Sequence, residues 1–257
     1  MRFTIDSIEL KEALESLQVK GKRLTNNGFS SGNFGSVFTA NLVDNQLLLV
    51  NGDSTFMLKI ALEVATEGHE TGTCNADASL ILPYLKSFNG TVTITVGDFI
   101  LISNGSKTAS IPKIVNHPHE EALSRLIEMT SHIRYEPQPT TLFTFSNLNY
   151  EGSFTLNQKD FQSCLRNCEL VGEGIYNLNY HNGEVVISSS TNATNSYREV
   201  LPAVFNTGES ATLDFSSPLY SFFKKDQLLN FYVRDEFPMM IVANDRMLMK
   251  APHVGGN

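Results

Sequence analysis

The sequence predicts an α+β fold built from two similar halves, each a set of short strands carrying two amphipathic helices. Three observations predict it. A strand running into a helix opens both halves with the same apolar spacing, a second helical stripe recurs in both, and turn pairs punctuate the β-branched and aromatic runs between them.

Arg2-Phe3-Thr4-Ile5-Asp6 reads as a short strand ending on a turn residue, and Ser153-Phe154-Thr155-Leu156-Asn157 reads the same way in the second half. The match continues beyond the strands. Leu10, Ala13, Leu14 and Leu17 recur at i, i+3, i+4 and i+7, the apolar stripe of a helix packed on one face, and Phe161, Cys164, Leu165 and Cys168 take the equivalent positions. A second repeat sets Ile81, Tyr84 and Leu85 against Leu219, Phe222 and Phe223. Asp77 or Ser79 would cap the first of these helices and Ser216 or Ser217 the other, where Pro218 suits a first helical position. Pro83 is more awkward: inside a helix it removes a hydrogen bond and clashes with the preceding turn, so this helix is expected to begin late enough to keep Pro83 in its first turn.

Strands are expected at 37–43, 46–50, 56–62, 91–96, 99–103 and 107–111, with turn pairs at Asp44-Asn45 and Asn104-Gly105. The second half repeats the pattern at 176–180, 184–190, 197–201, 211–215, 228–234, 239–243 and 247–250, with turns at His181-Asn182-Gly183 and Asn244-Asp245. Residues 113–139 carry Pro118, Pro137 and Pro139 and no strand pattern, although 120–133 could form a short helix. They read as a connector between a domain at 1–112 and another at 140–257.

Composition bounds the class. With 41% hydrophobic and 18% charged residues in 257, the chain is globular rather than disordered. No apolar stretch is long enough to cross a bilayer, and the opening Met1-Arg2-Phe3-Thr4-Ile5-Asp6 breaks too soon for a secretory signal, so no membrane association and a cytoplasmic location, or the host cytoplasm for a viral protein, are expected. Three cysteines, Cys74, Cys164 and Cys168, make no disulfide framework. A net charge of -8 argues against nucleic acid unless the basic residues are confined to one surface.

Enzyme chemistry finds little support. The sequence has no Gly-rich phosphate loop, no Gly-x-Ser-x-Gly elbow and no His-Glu-x-x-His helix. Cys164 and Cys168 fall on core positions of the repeat and read as small buried hydrophobes. Pro118 would splay the imidazoles of His117-Pro118-His119-Glu120-Glu121, and nothing nearby completes a ligand set. Asp235-Glu236 sits at an expected turn. No catalytic residue, metal or cofactor is therefore assigned.

Taken in order, the residues resemble the DNA sliding clamps over nearly the whole chain. Met1-Arg2-Phe3-Thr4-Ile5 with its helix is similar to the start of bacterial beta clamps, as is Asn45-Gln46-Leu47-Leu48-Leu49-Val50-Asn51-Gly52-Asp53 with a return strand from Met57 to Leu62. Thr108-Ala109-Ser110-Ile111-Pro112 resembles the end of a clamp domain. Met247-Leu248-Met249-Lys250-Ala251-Pro252-His253-Val254 resembles the last strand and tail of archaeal and eukaryotic clamps. Beta clamps have three domains per chain and close as dimers. This chain has room for two, the arrangement of the archaeal, eukaryotic and T4-like phage clamps that close as trimers.

The resemblance implies two clamp domains with antiparallel sheets outside and two helices inside, forming a homotrimeric ring around duplex DNA without sequence preference. It implies DNA-facing roles for Lys11, Lys20, Lys22, Arg23, Lys86, Lys159, Arg166, Lys224 and Lys225. Glu9, Glu12 and Glu15 accompany the first group, so a plain solvated face stays open as an alternative, and lysines at helix ends suit the macrodipole without any ligand. It also implies a groove for short peptide motifs of DNA polymerase and clamp loader, formed by Gly52, Ser54, Thr55, Phe56 and Met57, by Pro112, Ile114 and Val115, and by Ala251, Pro252 and Val254. Ile114, Val115 and Val254 would equally suit ordinary core. Alternatives to the ring are a monomeric or dimeric viral processivity factor and a β-rich structural protein of a virus particle.

Overall fold

The computed structural model describes residues 1–18, 34–52, 55–115, 124, 144–145, 148–171, 175–191, 195–216, 219 and 222–253. The chain divides into two compact units, one of Met1–Asp53 with Met57–His132, the other of Ser54–Phe56 with Ile133–Asn257.

In the first unit β1 (Arg2–Asp6) runs directly into α1 (Ser7–Leu17). Asp6 starts the helix: its carboxylate accepts from the backbone of Ile8 at 2.8 Å and Glu9 at 3.3 Å, satisfying two donors that the first turn leaves open. β2 (Val37–Val43), β3 (Gln46–Gly52), β4 (Phe56–Glu63) and β5 (Thr71–Asp77) follow, then α2 (Ala78–Leu85), β6 (Thr91–Val96), β7 (Phe99–Asn104) and β8 (Lys107–Pro112). The strands form two antiparallel arrays, ordered β1-β6-β7-β8 and β4-β3-β2-β5. Phe3, Ile94 and Ile102 from one, Ala40 and Leu49 from the other, and Leu10, Leu14 and Ile81 from the helices meet in a common core. Asn51 on β3 reaches the end of α1, where its side-chain amide donates to the Leu17 carbonyl at 2.8 Å.

The second unit contains the short pair β9 (Thr144–Phe145) and β10 (Leu148–Asn149), then β11 (Gly152–Asn157), α3 (Gln158–Val171), β12 (Ile175–His181), β13 (Glu184–Thr191), β14 (Asn195–Leu201), β15 (Phe205–Gly208), β16 (Ala211–Ser216), β17 (Leu228–Val233), β18 (Met239–Ala243) and β19 (Arg246–Lys250). Its arrays run β14-β13-β12-β16 and β15-β11-β17-β18-β19. Phe154 stacks on Phe231 at 4.8 Å, and Phe161 of α3 meets Phe231 edge-on at 5.0 Å, so the helix docks through aromatic contacts. The repeated stripe is real in both units: Leu10, Ala13, Leu14 and Leu17 are buried on α1, as are Phe161, Cys164, Leu165 and Cys168 on α3.

Two expectations for α2 are corrected. It begins at Ala78, capped by Asp77 accepting from the Ser79 backbone at 2.8 Å, so Pro83 lies past the first turn. The lost bond is tolerated because the exposed ring faces solvent and the helix ends at once, Lys86 donating to the Leu82 carbonyl at 3.1 Å and Phe88 to that of Tyr84 at 3.1 Å. Tyr84 is also not on the buried stripe. Ala78, Ile81, Leu82 and Leu85 share that face, which leaves Tyr84 to one side and 42% exposed. Among the described residues α1, α2 and α3 are the α-helices; Ser217 and Pro218 of the fourth expected one lie outside them, while Leu219, Phe222 and Phe223 are buried. β5, β9, β10 and β15 were not expected from the sequence.

Most sheet edges find cover. β1 meets Ala65, with Thr4 donating at 2.8 Å and accepting at 3.0 Å; β5 accepts from Ile114 at 2.9 Å through Asn75; β16 accepts from His253 at 2.6 Å through Asp214. Among the described residues, β8 and β14 have no backbone partner along their outer edges, and neither does the four-residue β15.

Candidate functional site

The helices carry the first candidate surface. On α3 the buried stripe turns Lys159, Ser163 and Arg166 outward at i, i+4 and i+7, a single exposed line with two positive charges. The acidic neighbours point elsewhere. Glu169 is half-buried and accepts from the Tyr176 hydroxyl at 2.9 Å, and Asp160 lies 3.4 Å from the Asn157 amide. The face of α1 is different: Glu9, Glu12 and Glu15 are exposed and Lys11 is half-buried. Lys86 is exposed just past α2, beside exposed Leu80 and Tyr84. Lys224 is exposed but pairs with Asp245 at 3.3 Å, which offsets its charge, and Lys225 is exposed beside it. Lys20, Lys22 and Arg23 lie outside the described residues.

The partner residues fall into two sets. In the first unit, Gly52 and Met57 face each other across β3 and β4, Pro112 ends β8 exposed, and Ile114 is half-buried with its backbone on Asn75. Val115, 64% exposed, is no core residue. In the second, the Thr55 carbonyl accepts from Ala251 at 2.9 Å, and Lys250 donates to the Thr55 hydroxyl at 3.4 Å with its ammonium 5.8 Å from the Phe56 ring. Pro252 is half-buried, and His253 anchors the tail to β16. Ser54 and Val254 lie outside the described residues, as does the His117 to Glu121 cluster.

Cys164 and Cys168 are fully buried, in keeping with their core assignment. The Cys164 thiol, beside Cys168 and Glu199 and removed from water, is held well above the ordinary thiol range. The Asp235 carboxylate reaches beyond its own turn to accept from the Thr212 backbone on β16 at 2.6 Å, and Glu236 next to it has φ 62°. Sequence reasoning missed a polar chain under β14, in which Asn167 donates to the Tyr197 hydroxyl at 2.9 Å and Tyr197 donates to Glu199 at 2.6 Å. Its signal was legible in the alternation of β14, which places Tyr197 and Glu199 on the face shared with the buried Leu201.

The fold is that of the DNA sliding clamps. Among solved structures, the chain matches the PCNA of A. fulgidus, solved with the C-terminal region of FEN-1 bound, with a TM-score of 0.70 and 14% identity over 100% of this chain and 99% of that one. It matches a DNA polymerase sliding clamp of Pseudomonas aeruginosa with a TM-score of 0.74 and 12% identity over 99% of this chain and 67% of that one. The DNA polymerase III beta chain of Streptococcus pneumoniae gives a TM-score of 0.73 and 14% identity over 99% of this chain and 65% of that one. The chain thus spans about two thirds of the bacterial chains and the full length of the archaeal one. No family model matches the sequence, and no curated protein does. Among the described residues, no helix is long and apolar enough to cross a membrane.

Proposed function

We propose that this chain is a DNA polymerase sliding clamp, a processivity factor that closes as a homotrimeric ring around duplex DNA and acts through topology rather than chemistry. The observation that carries the reading is the likeness to a two-domain clamp chain over 100% of this chain and 99% of that one. The domains run over 1–112 and 140–257, joined by the connector 113–139. The open edges of β8 and β14 support self-association, since an unpaired strand edge is a template for another chain and a closed ring uses its edges up. β8 of one copy meets β14 of the next. Lys11, Lys86, Lys159, Arg166, Lys224 and Lys225, with Lys20, Lys22 and Arg23, face the phosphates without reading bases.

Polymerase and clamp loader dock by short peptide motifs on the residues around Phe56, Met57, Ile114, Val115, Ala251 and Pro252, an anchor chemistry of apolar side chains. The ring works in the cytoplasm, or in that of a host. The test is retention on DNA. Loaded onto a nicked circle, the protein should stay bound through a high-salt wash, and linearising the circle should release it. Equal loss from circular and linear DNA, or a native mass of one chain at micromolar concentration, would sink the proposal.

A further inference from the structure

We propose that Asn167, Tyr197 and Glu199 form a latch fixing the edge strand β14 to the underside of α3, so that the strand available to a second copy and the helix carrying Lys159 and Arg166 move as one piece. The inference rests on the reading of β14 as a seam between copies.

Among the described residues, β14 is held by a backbone ladder on one side only, to β13. The position of its free edge therefore depends on what its side chains grip. Ser196, Arg198 and Val200 point to solvent, whereas Tyr197 and Glu199 are half-buried and Leu201 is buried, the face against α3. A carboxylate between a strand and a helix needs a donor to offset its lost hydration, and Glu199 has one in the Tyr197 hydroxyl at 2.6 Å. The Tyr197 oxygen in turn accepts from Asn167 at 2.9 Å, which closes the chain onto the helix. Asn167 directly follows Arg166, so the two faces of α3 carry the latch and the outward positive line within one turn. An inward-pointing charge on an edge strand also restrains indiscriminate pairing, because a slipped register would strand it. The latch thus both aims the edge and limits what can join it.

The test uses the full-length chain as wild type, Tyr197→Phe, Asn167→Ala and the double variant. Tyr197→Phe removes one hydroxyl and keeps the ring. Its self-association, followed by sedimentation across a dilution series, should weaken on the order of tenfold, the worth of one to two hydrogen bonds. Amide exchange should quicken along β14 and stay unchanged along β12. The double variant should be no weaker than the stronger single one, since both break the same chain, a non-additivity that independent structural losses would not give. Should Tyr197→Phe fold poorly, Asn167→Ala carries the same expectation. Wild-type self-association with unaltered dissociation and unaltered β14 exchange in both single variants would overturn the latch and leave the seam standing. A wild type that stays monomeric would overturn the seam and the latch with it.

Discussion

Asn51 offers a sharp test of how α1 is finished. It is 1% exposed on β3, and its amide donates to the Leu17 carbonyl at the helix end, where the chain turns to extended backbone at Gln18. The last carbonyls of a helix have no partner within it, so this donor comes from tertiary structure. Among the described residues the side-chain oxygen of Asn51 has no hydrogen-bond partner, and that buried atom is already a cost. Asn51→Ala removes both atoms: leaving the Leu17 carbonyl unsatisfied costs about 1–3 kcal/mol, and losing the unpartnered oxygen returns part of it, for a net loss of about 1–2 kcal/mol. Asn51→Asp keeps the volume but sets a charged acceptor against a carbonyl in a site closed to water, and should cost several kcal/mol, about twice the alanine loss or more. Protonation converts that carboxylate to a donor, so Asn51→Asp should recover stability relative to wild type as pH falls toward about 4. Urea denaturation of the three proteins at neutral and acidic pH measures all of this. An Asn51→Asp chain as stable as Asn51→Ala at neutral pH, with no recovery in acid, would refute the assignment of the amide as the finishing donor.

Other perturbations follow from single features. Gly208 has φ +86° and a side chain there would collide with the Glu151 carbonyl, so Gly208→Ala should lower the thermal midpoint by the equivalent of at least about 2 kcal/mol; an unchanged melt would contradict the β11–β15 pairing. Burial lowers Lys59 to about 8, below its ordinary 10.5, so the folded chain binds fewer protons between those values and stability should rise with pH across that window, the penalty standing in full below it. Lys59→Met should erase about 2–3 kcal/mol of that rise in denaturation at pH about 8 against about 10, and parallel curves for the two proteins would count against it. Replacing Pro252, His253 and Val254 with alanines should weaken binding of a client peptide, read by fluorescence anisotropy, with self-association intact; unchanged affinity removes the tail from the groove. Lys159→Ala with Arg166→Ala should flatten the dependence of DNA affinity on salt by about 0.9 per lost phosphate contact in log-log slope, and identical slopes would leave α3 a plain solvated face.

Much of the fold is legible in the sequence because its two strongest signals are periodic. The i, i+3, i+4, i+7 stripe reports which face a helix buries, and α1 and α3 obey it residue for residue. Strands with alternating apolar residues and local turn chemistry are equally plain, as at Asn182 and Gly183, both with positive φ. β5 is hidden for a physical reason: Thr71-Gly72-Thr73-Cys74-Asn75-Ala76-Asp77 has no apolar alternation, and it is a strand because β2 pairs with all of it and the Thr39 hydroxyl donates to the Asn75 side chain at 2.7 Å. Pro83 misleads in the same way, since local propensity counts a lost bond and cannot count the burial of Ile81 and Leu82. Charge placement is least legible. That Lys224 is matched by Asp245, or that Glu169 turns to Tyr176, depends on tertiary neighbours distant from any periodic signal.

The net charge of -8 looks at first like an objection to a DNA partner, and its weight depends on what holds the two together. A protein kept on DNA by affinity needs many phosphate contacts, and each makes binding more salt-sensitive. A ring needs none of them to stay on. For such a molecule what matters is the charge within a Debye length of the duplex, about 8 Å at physiological salt, and the acidic remainder beyond that distance is largely screened. On the proposed reading, α3 brings the line of Lys159 and Arg166 to that distance while Glu169 is occupied with Tyr176. α1 brings Glu9, Glu12 and Glu15 with one half-buried lysine. The duplex would then be drawn toward the second unit of each copy and away from the first. Contacts that are few, sequence-blind and unequal would give a shallow energy surface along the helix axis, so on the proposed reading of a closed ring the same acidity that weakens static binding would favour movement along DNA.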